Sequence, residues 1–147
     1  MILISHRGNV NGPSKDLENK VETIESTIRL GYDVEIDLWY INNSFYLGHD
    51  NPDTLVSFDF LDENKNKLWI HCKNLECLDK LHGTNFNYFW HDKDLSTITS
   101  KGIFWSLNGY YLKNGVTVEL DIIDEVPKNI FGICTDYVNH YQKIIII

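Results

Sequence analysis

Two histidines, an arginine and a spaced carboxylate pair stand at or beside the ends of strand-like runs early in the chain: His6-Arg7-Gly8, Glu35-Ile36-Asp37 and His49-Asp50. These are the parts needed to grip a phosphodiester and move protons around it. In-line attack at phosphorus calls for a base on the nucleophile and an acid on the departing alkoxide. Imidazole titrates near neutrality, so of His6 and His49 one can start neutral and the other charged. Arg7 would hold the non-bridging oxygens in its fork, and Lys73 would add positive charge as the phosphorane forms. Glu35 and Asp37 would either bind a cation on the same oxygens or, without one, keep the nearby histidine and arginine charged and oriented. Each residue also has a plainer role. A histidine ending a strand is commonly a hydrogen-bonded structural group, and a Glu-x-Asp pair is commonly the solvated face of an edge strand. Trp39, on the same face as Glu35 and Asp37, argues that this face is not simply exposed.

The elements that must position these groups are legible in outline. Ile2 to Arg7 is a short apolar run stopped by Gly8, and a loop rich in Gly, Pro, Asn and Ser follows to Lys15. Asn19 reads as the N-cap of a helix, with Glu22 as its capping-box partner, Val21, Ile24 and Ile28 on one face and Gly31 at the end. Asp33 to Tyr40 alternates Val34, Ile36 and Leu38 with Glu35, Asp37 and Trp39, a period-two strand that puts both carboxylates on one face. Asn42-Asn43 turns this strand into a short hairpin arm, which would deliver His49 back beside the carboxylates. Lys67 to Cys72, Leu75 to Leu81 and Asn87 to His91 read as strand, helix and strand, a unit that favours parallel pairing. Ile103 to Ser106, Val116 to Leu120 and Ile130 to Cys134 supply three more strands, with connections too short for a helix each. The run Lys143 to Ile147 is expected to dock under the core as a last strand or helix rather than meet a membrane or partner.

Composition narrows the function classes. At 147 residues with 43% hydrophobic content, the chain has apolar material for one core, which predicts a single domain over residues 1–147. Thirteen Lys and Arg against twenty-one Asp and Glu give a net charge of -8, and Arg7 and Arg29 are the only arginines, so nucleic-acid binding is not expected. Apolar runs such as Ile144 to Ile147 are far too short to span a membrane, and the N-terminus lacks the charged region, long apolar stretch and cleavage site of a signal peptide. No membrane span and a cytoplasmic location are therefore expected. Cys72, Cys77 and Cys134 are odd in number and lack CxxC spacing, which argues against a disulfide framework or zinc knuckle and for small buried side chains. Nothing in the chain indicates its oligomeric state.

His6-Arg7-Gly8, the Gly12-Pro13 loop, Glu18-Asn19 opening a helix, Gly31-Tyr32-Asp33-Val34-Glu35-Ile36-Asp37 and Gly48-His49-Asp50 form an ordered series. The series resembles the N-terminal signature of glycerophosphodiester phosphodiesterases, grouped with phosphatidylinositol-specific phospholipase C among the barrel phosphodiesterases. Gly132-Ile133-Cys134-Thr135-Asp136-Tyr137 is similar to the segment closing that family's last barrel strand. The likeness is dense over residues 2–50 and thin over 51–129. It implies a TIM-type (β/α) barrel with its site at the C-terminal ends of the strands. Such barrels typically run to about 250 residues, so an abridged α/β barrel is expected, with several helices replaced by loops.

The resemblance also implies a divalent cation, calcium or magnesium, held by Glu35, Asp37 and a third carboxylate. Here the family's Glu-x-Lys is matched by His71-Cys72-Lys73, so the lysine is kept and a carboxylate is replaced by imidazole. With His71 the site would take a softer ion such as zinc or manganese, bind its ion more weakly, or work without one. In the family, attack often begins with a neighbouring hydroxyl of the alcohol. The expected activity is hydrolysis of a small glycerophosphodiester-like substrate, with His6, His49, Arg7 and Lys73 catalytic and Glu35, Asp37 and His71 as metal ligands. Trp39, Asp50 and His91 are expected substrate contacts. Two alternatives stand beside it: a metal-independent, phospholipase C-like phosphodiesterase, and a barrel that binds a phosphorylated or sugar ligand without turnover.

Overall fold

Strand alternation organises the molecule around one central strand. The computed structural model describes residues 1–145, so Ile146 and Ile147 of the terminal isoleucine run lie outside the described residues. In chain order the elements are β1 (Ile2–His6), α1 (Val21–Arg29), β2 (Asp33–Ile41), β3 (Ser44–Leu47), β4 (Thr54–Val56), α2 (Phe58–Asn64) and β5 (Leu68–Cys72). They continue with α3 (Leu75–Leu81), β6 (Asn87–Phe89), β7 (Ser96–Ile98), β8 (Phe104–Ser106), β9 (Gly115–Val118), β10 (Gly132–Thr135) and α4 (Val138–Ile145). Strands β8, β9, β10, β1, β2, β5 and β6 lie side by side in that order, every pair parallel. The hairpin arm β3–β4 is antiparallel to the end of β2, and β7 is antiparallel to β8.

The sheet curls, and its two faces have different lives. On β2, Val34, Ile36 and Leu38 are fully buried on the outer face, packed with Ile24 of α1, Leu61 of α2, and Cys77 and Leu81 of α3. Inside the curl, Ile4, Trp69, Phe89, Trp105, Val116 and Cys134 form a second core, with Phe89 stacked on Trp105 and Trp69 tilted against it. A third core joins Ile130, Ile133 and Tyr141, placing α4 behind β10 and β1. The C-terminal run thus docks as the end of a helix as far as Ile145, and that helix begins earlier than its isoleucines. Cys72, Cys77 and Cys134 are buried and free.

The abridged TIM-type barrel is not what forms. The structure is a curled mixed sheet, a half-barrel of ten strands with four helices of seven to nine residues among the described residues. Strand–helix–strand alternation requires a crossover after every strand; here β2–β3–β4 and β7–β8 double back as antiparallel ribbons. No helix occurs among the described residues between β8 and β10. Nor does a strand ladder join β6 to β8 among the described residues. The turn after β7 spans the gap with hydrogen bonds: the Ser100 N–H donates to the Tyr88 carbonyl at 2.8 Å, and the Tyr88 N–H to Ser100 Oγ at 3.1 Å. β4, α2 and β7 are absent from the sequence-based expectation, whereas the β5–α3–β6 unit forms in parallel as expected. No helix among the described residues is long and apolar enough to cross a membrane.

One glycine makes the closure between β1 and β10 possible. Gly132 pairs with Ile2, and a Cβ there would lie 2.6 Å from Ile2 Cγ1 and 2.9 Å from its carbonyl oxygen. Any side chain would force the two strands apart.

Candidate functional site

Inward positions near the C-terminal ends of the parallel strands carry the chemistry. His6 ends β1, Glu35 and Asp37 lie on β2, His71 and Lys73 are at the end of β5, and Asp136 follows β10. Register explains the gathering: His6 pairs with Glu35, and Asp37 with His71. Parallel neighbours in register point to the same face, so the period-two pattern of β2 is completed by single residues from its neighbours.

Past His6 the backbone turns sharply, with Arg7 at φ 57° and Gly8 at φ 90°. A left-handed non-glycine residue costs of order 1–3 kcal/mol and persists only where its surroundings fix it. Here the Arg7 N–H donates to the Glu35 carbonyl and the Arg7 carbonyl accepts from the Asn19 N–H, both at 2.9 Å. The turn swings the guanidinium back over the site, where Nε lies 3.0 Å from Asp37 Oδ2 and Nη1 3.3 Å from Glu18 Oε1.

Asp37 is the hub. Asn19 grips it twice, Nδ2 donating to Oδ2 at 2.9 Å and Oδ1 accepting the Asp37 N–H at 3.0 Å. Its other oxygen, Oδ1, lies 3.2 Å from His71 Nδ1 and 3.6 Å from Lys73 Nζ. Burial alone would raise this carboxyl, but His71, Arg7 and Lys73 override it and hold Asp37 well below the usual carboxylate range. Glu35 is the opposite case. It is 3% exposed and its Oε2 makes no hydrogen bond; His6 Nε2 lies 4.0 Å from Oε2 and His71 Nδ1 3.9 Å from Oε1. Burial, then the charge of Asp37, push its carboxyl upward against the pull of His6, Arg7 and His71.

His6 forms a dyad with Asp136: Nδ1 donates to Oδ1 at 2.9 Å, and Asn9 Nδ2 donates to the same oxygen at 2.8 Å. Burial works against a charged His6, yet the hydrogen bond to Asp136 and the charge of Glu35 leave it above the ordinary histidine value. Asp136 moves the other way, its burial outweighed by His6 and Asn9. With Nδ1 engaged, Nε2 is the nitrogen that faces the site.

His71 has an assignable tautomer. Its Nε2 lies 2.8 Å from the His91 carbonyl oxygen, which can only accept, so Nε2 carries a proton. Nδ1 then faces Asp37 and Glu35 in one of two states: as the second N–H of an imidazolium, or as a lone pair in need of a cation. Glu35, Asp37 and His71 each offer one atom, all within 4.8 Å of one another. Glu35 Oε2 and Asp37 Oδ1 are buried without a hydrogen-bond partner, so each has a lone pair a cation could take.

The remaining residues of interest lie at the rim. The hairpin arm does turn back, with the Gly48 N–H donating to the Asp37 carbonyl at 3.2 Å. Gly48 has φ 149°, and a Cβ there would fall 2.0 Å from the Asn51 carbonyl oxygen, so only glycine makes this turn. His49 itself is 40% exposed and its Nδ1 is paired at 2.8 Å with the largely exposed Asp50; it makes no hydrogen bond to Glu35 or Asp37. Trp39 Nε1 donates to the Gly48 carbonyl at 2.6 Å and so pins the loop. His91 supplies its carbonyl to His71, while its two ring nitrogens are buried without a hydrogen-bond partner.

Asp136, Asn19, Asn9 and Glu18 belong to this constellation and are absent from the sequence-based candidates. The Thr135-Asp136 pair at a strand end was the available signal for Asp136. Asn19 is not the helix cap expected: α1 begins at Val21 after Lys20, and Asn19, at φ 54°, aims its amide at Asp37 instead. An open groove of about 760 Å³ lined by Tyr40, Phe45, Leu55, Val56, Phe58 and Leu81 lies outside the site and holds none of these groups. No protein-family model, curated protein or solved structure matches this chain.

Proposed function

We propose that this chain hydrolyses a small phosphodiester of the glycerophosphodiester type, and the observation that carries this is the His6–Asp136 dyad standing against Arg7, Lys73 and the Glu35–Asp37–His71 cluster. His6 Nε2, facing the site while Asp136 holds Nδ1, takes the proton of the attacking hydroxyl or water. Arg7 and Lys73 offer donors to the non-bridging oxygens and stabilise the charge that accumulates on them. His49, with Nδ1 held by Asp50, presents Nε2 at the rim as the proton donor to the leaving alkoxide. Glu35, Asp37 and His71 would hold a divalent cation, which when bound polarises the phosphoryl group as a Lewis acid.

A second, metal-independent mechanism has its own support, because Asp37 already lies among Arg7, His71 and Lys73. In that case His71 is the imidazolium that donates from both nitrogens.

Release of alcohol from a panel of glycerophosphodiesters, with and without chelator, tests both. His6→Ala is expected to lower the rate about 10²–10⁴-fold, the usual weight of a general acid or base. Unchanged turnover in His6→Ala would overturn the assignment. Full activity in chelator would favour the metal-independent form, and phosphodiester binding without turnover would indicate a binding protein.

A further inference from the structure

We infer that Glu35, Asp37 and His71 select a transition-type ion of the zinc and cobalt class over calcium and magnesium, with His71 Nδ1 as the nitrogen ligand. This rests on the cation-assisted form of the function proposed above and specifies its ion.

Contacts prepare two of the three ligands, and the third stands unpartnered. Asp37 Oδ2 is occupied by Asn19 and Arg7, which leaves Oδ1 as the presented oxygen. Glu35 Oε2 is buried with no hydrogen bond, and Glu35 as a whole is 3% exposed. His71 donates Nε2–H to the His91 carbonyl, the outer contact that orients a metal-binding imidazole and leaves Nδ1 as the nitrogen turned to the ion. Phe89, stacked on the His71 ring with centroids 5.2 Å apart, fixes the ring plane.

Donor chemistry then decides the ion. Imidazole suits zinc, copper, iron and nickel, whereas calcium and magnesium bind through oxygen and calcium takes six to eight such ligands. One imidazole nitrogen and two carboxylates fall short of a calcium cage and match a three-ligand site that keeps a position open. The competitor is internal. Lys73 Nζ, 3.6 Å from Asp37 Oδ1, competes with the ion for the same charge.

The experiment uses the full chain stripped with chelator and titrated calorimetrically with Zn²⁺, Co²⁺, Ca²⁺ and Mg²⁺, each alone. Wild type is expected to bind Zn²⁺ and Co²⁺ at least tenfold more tightly than Ca²⁺ or Mg²⁺. His71→Glu is expected to reverse that order, and His71→Gln to weaken Zn²⁺ at least tenfold while leaving Ca²⁺ little changed. Nitrogen-15 NMR of the wild-type histidine side chains does not depend on either variant folding: Zn²⁺ should move the Nδ1 resonance of His71 and leave its Nε2 protonated. Equal affinity for all four ions, no Zn²⁺ binding, or a Zn²⁺ titration that leaves His71 Nδ1 unmoved would overturn the inference. Phosphodiester turnover is measured separately. Selective Zn²⁺ binding without hydrolysis would sink the proposed function and keep the ion assignment, and hydrolysis without selective binding would do the reverse.

Discussion

Inside the curl, the floor and the mouth are built by the same strands one inward step apart: Ile4 then His6, Trp69 then His71, Phe89 then His91, Cys134 then Asp136. Two residues along a strand span roughly 6–7 Å, and over that distance the environment changes from packed aromatic rings to buried charge. The floor gains stability from apolar burial and needs no partner beyond close fit. The mouth is stable only as a set, because each buried ion there depends on an opposite charge or donor. The charged mouth is drawn from the ends of β10, β1, β2 and β5, whereas on β9 Val118, paired with Cys134, still belongs to the floor. Stability and chemistry are therefore separable by layer in this molecule.

The separation can be broken first at the floor. Trp105→Ala removes the ring stacked against Phe89 and near Trp69, and should cost about 3–5 kcal/mol in urea or thermal unfolding. Ion affinity of the folded fraction should stay within a fewfold of wild type; a parallel collapse of affinity would show that the two layers are one unit.

A smaller effect of opposite sign is expected in the mouth. Glu35 has a raised carboxyl, so its charged form is disfavoured by the fold, and stability is lost as pH climbs from the ordinary carboxylate range through the raised folded value. Glu35→Gln should therefore stabilise the chelated protein above that window, by about 0.5–2 kcal/mol, and lose its advantage at acidic pH. Ion binding should weaken in the same variant, and a variant that is both less stable and unaltered in ion affinity would contradict the picture of the mouth.

The finest test is one of pH. His6 has a raised value, so its contribution is fully present below the ordinary histidine value and is lost as pH rises through the raised one. Asp136 has a lowered value, so its contribution is present above the ordinary carboxylate range and is lost as pH falls through the lowered one. Asp136→Asn removes the carboxylate that favours charged His6. The acid limb of kcat/KM should move to lower pH in that variant, and a limb that stays in place would mean that His6 is not the group being read.

What was legible in the chain follows the range of the signal. The alternation along β2 placed Glu35 and Asp37 on one face, and the span of α3 was readable from residues 75–81, because both patterns are local. Three-residue strands such as β4 and β7 show too little period to be recognised, and without them the chain reads as a barrel rather than as a half-barrel with antiparallel ribbons. Asn19 shows how local chemistry can mislead. The residue has the right type and spacing for a cap, yet two hydrogen bonds to Asp37 outweigh one cap bond. Trp39 lies on β2 as the alternation predicts and His49 in the loop after β3, but their partners, Gly48 and Asp50, are set by the loop's conformation and not by spacing.

The pairing of β1 with β10 gives the site a position in time as well as in space. His6 and the carboxylate that orients it are 130 residues apart. On a ribosome His6 emerges early and waits, with β2 beside it, until Asp136 has been added. A growing chain can thus assemble Arg7, Glu35, Asp37 and His71 before His6 has its partner. A chain halted before residue 136 would lack the carboxylate that holds His6 Nδ1.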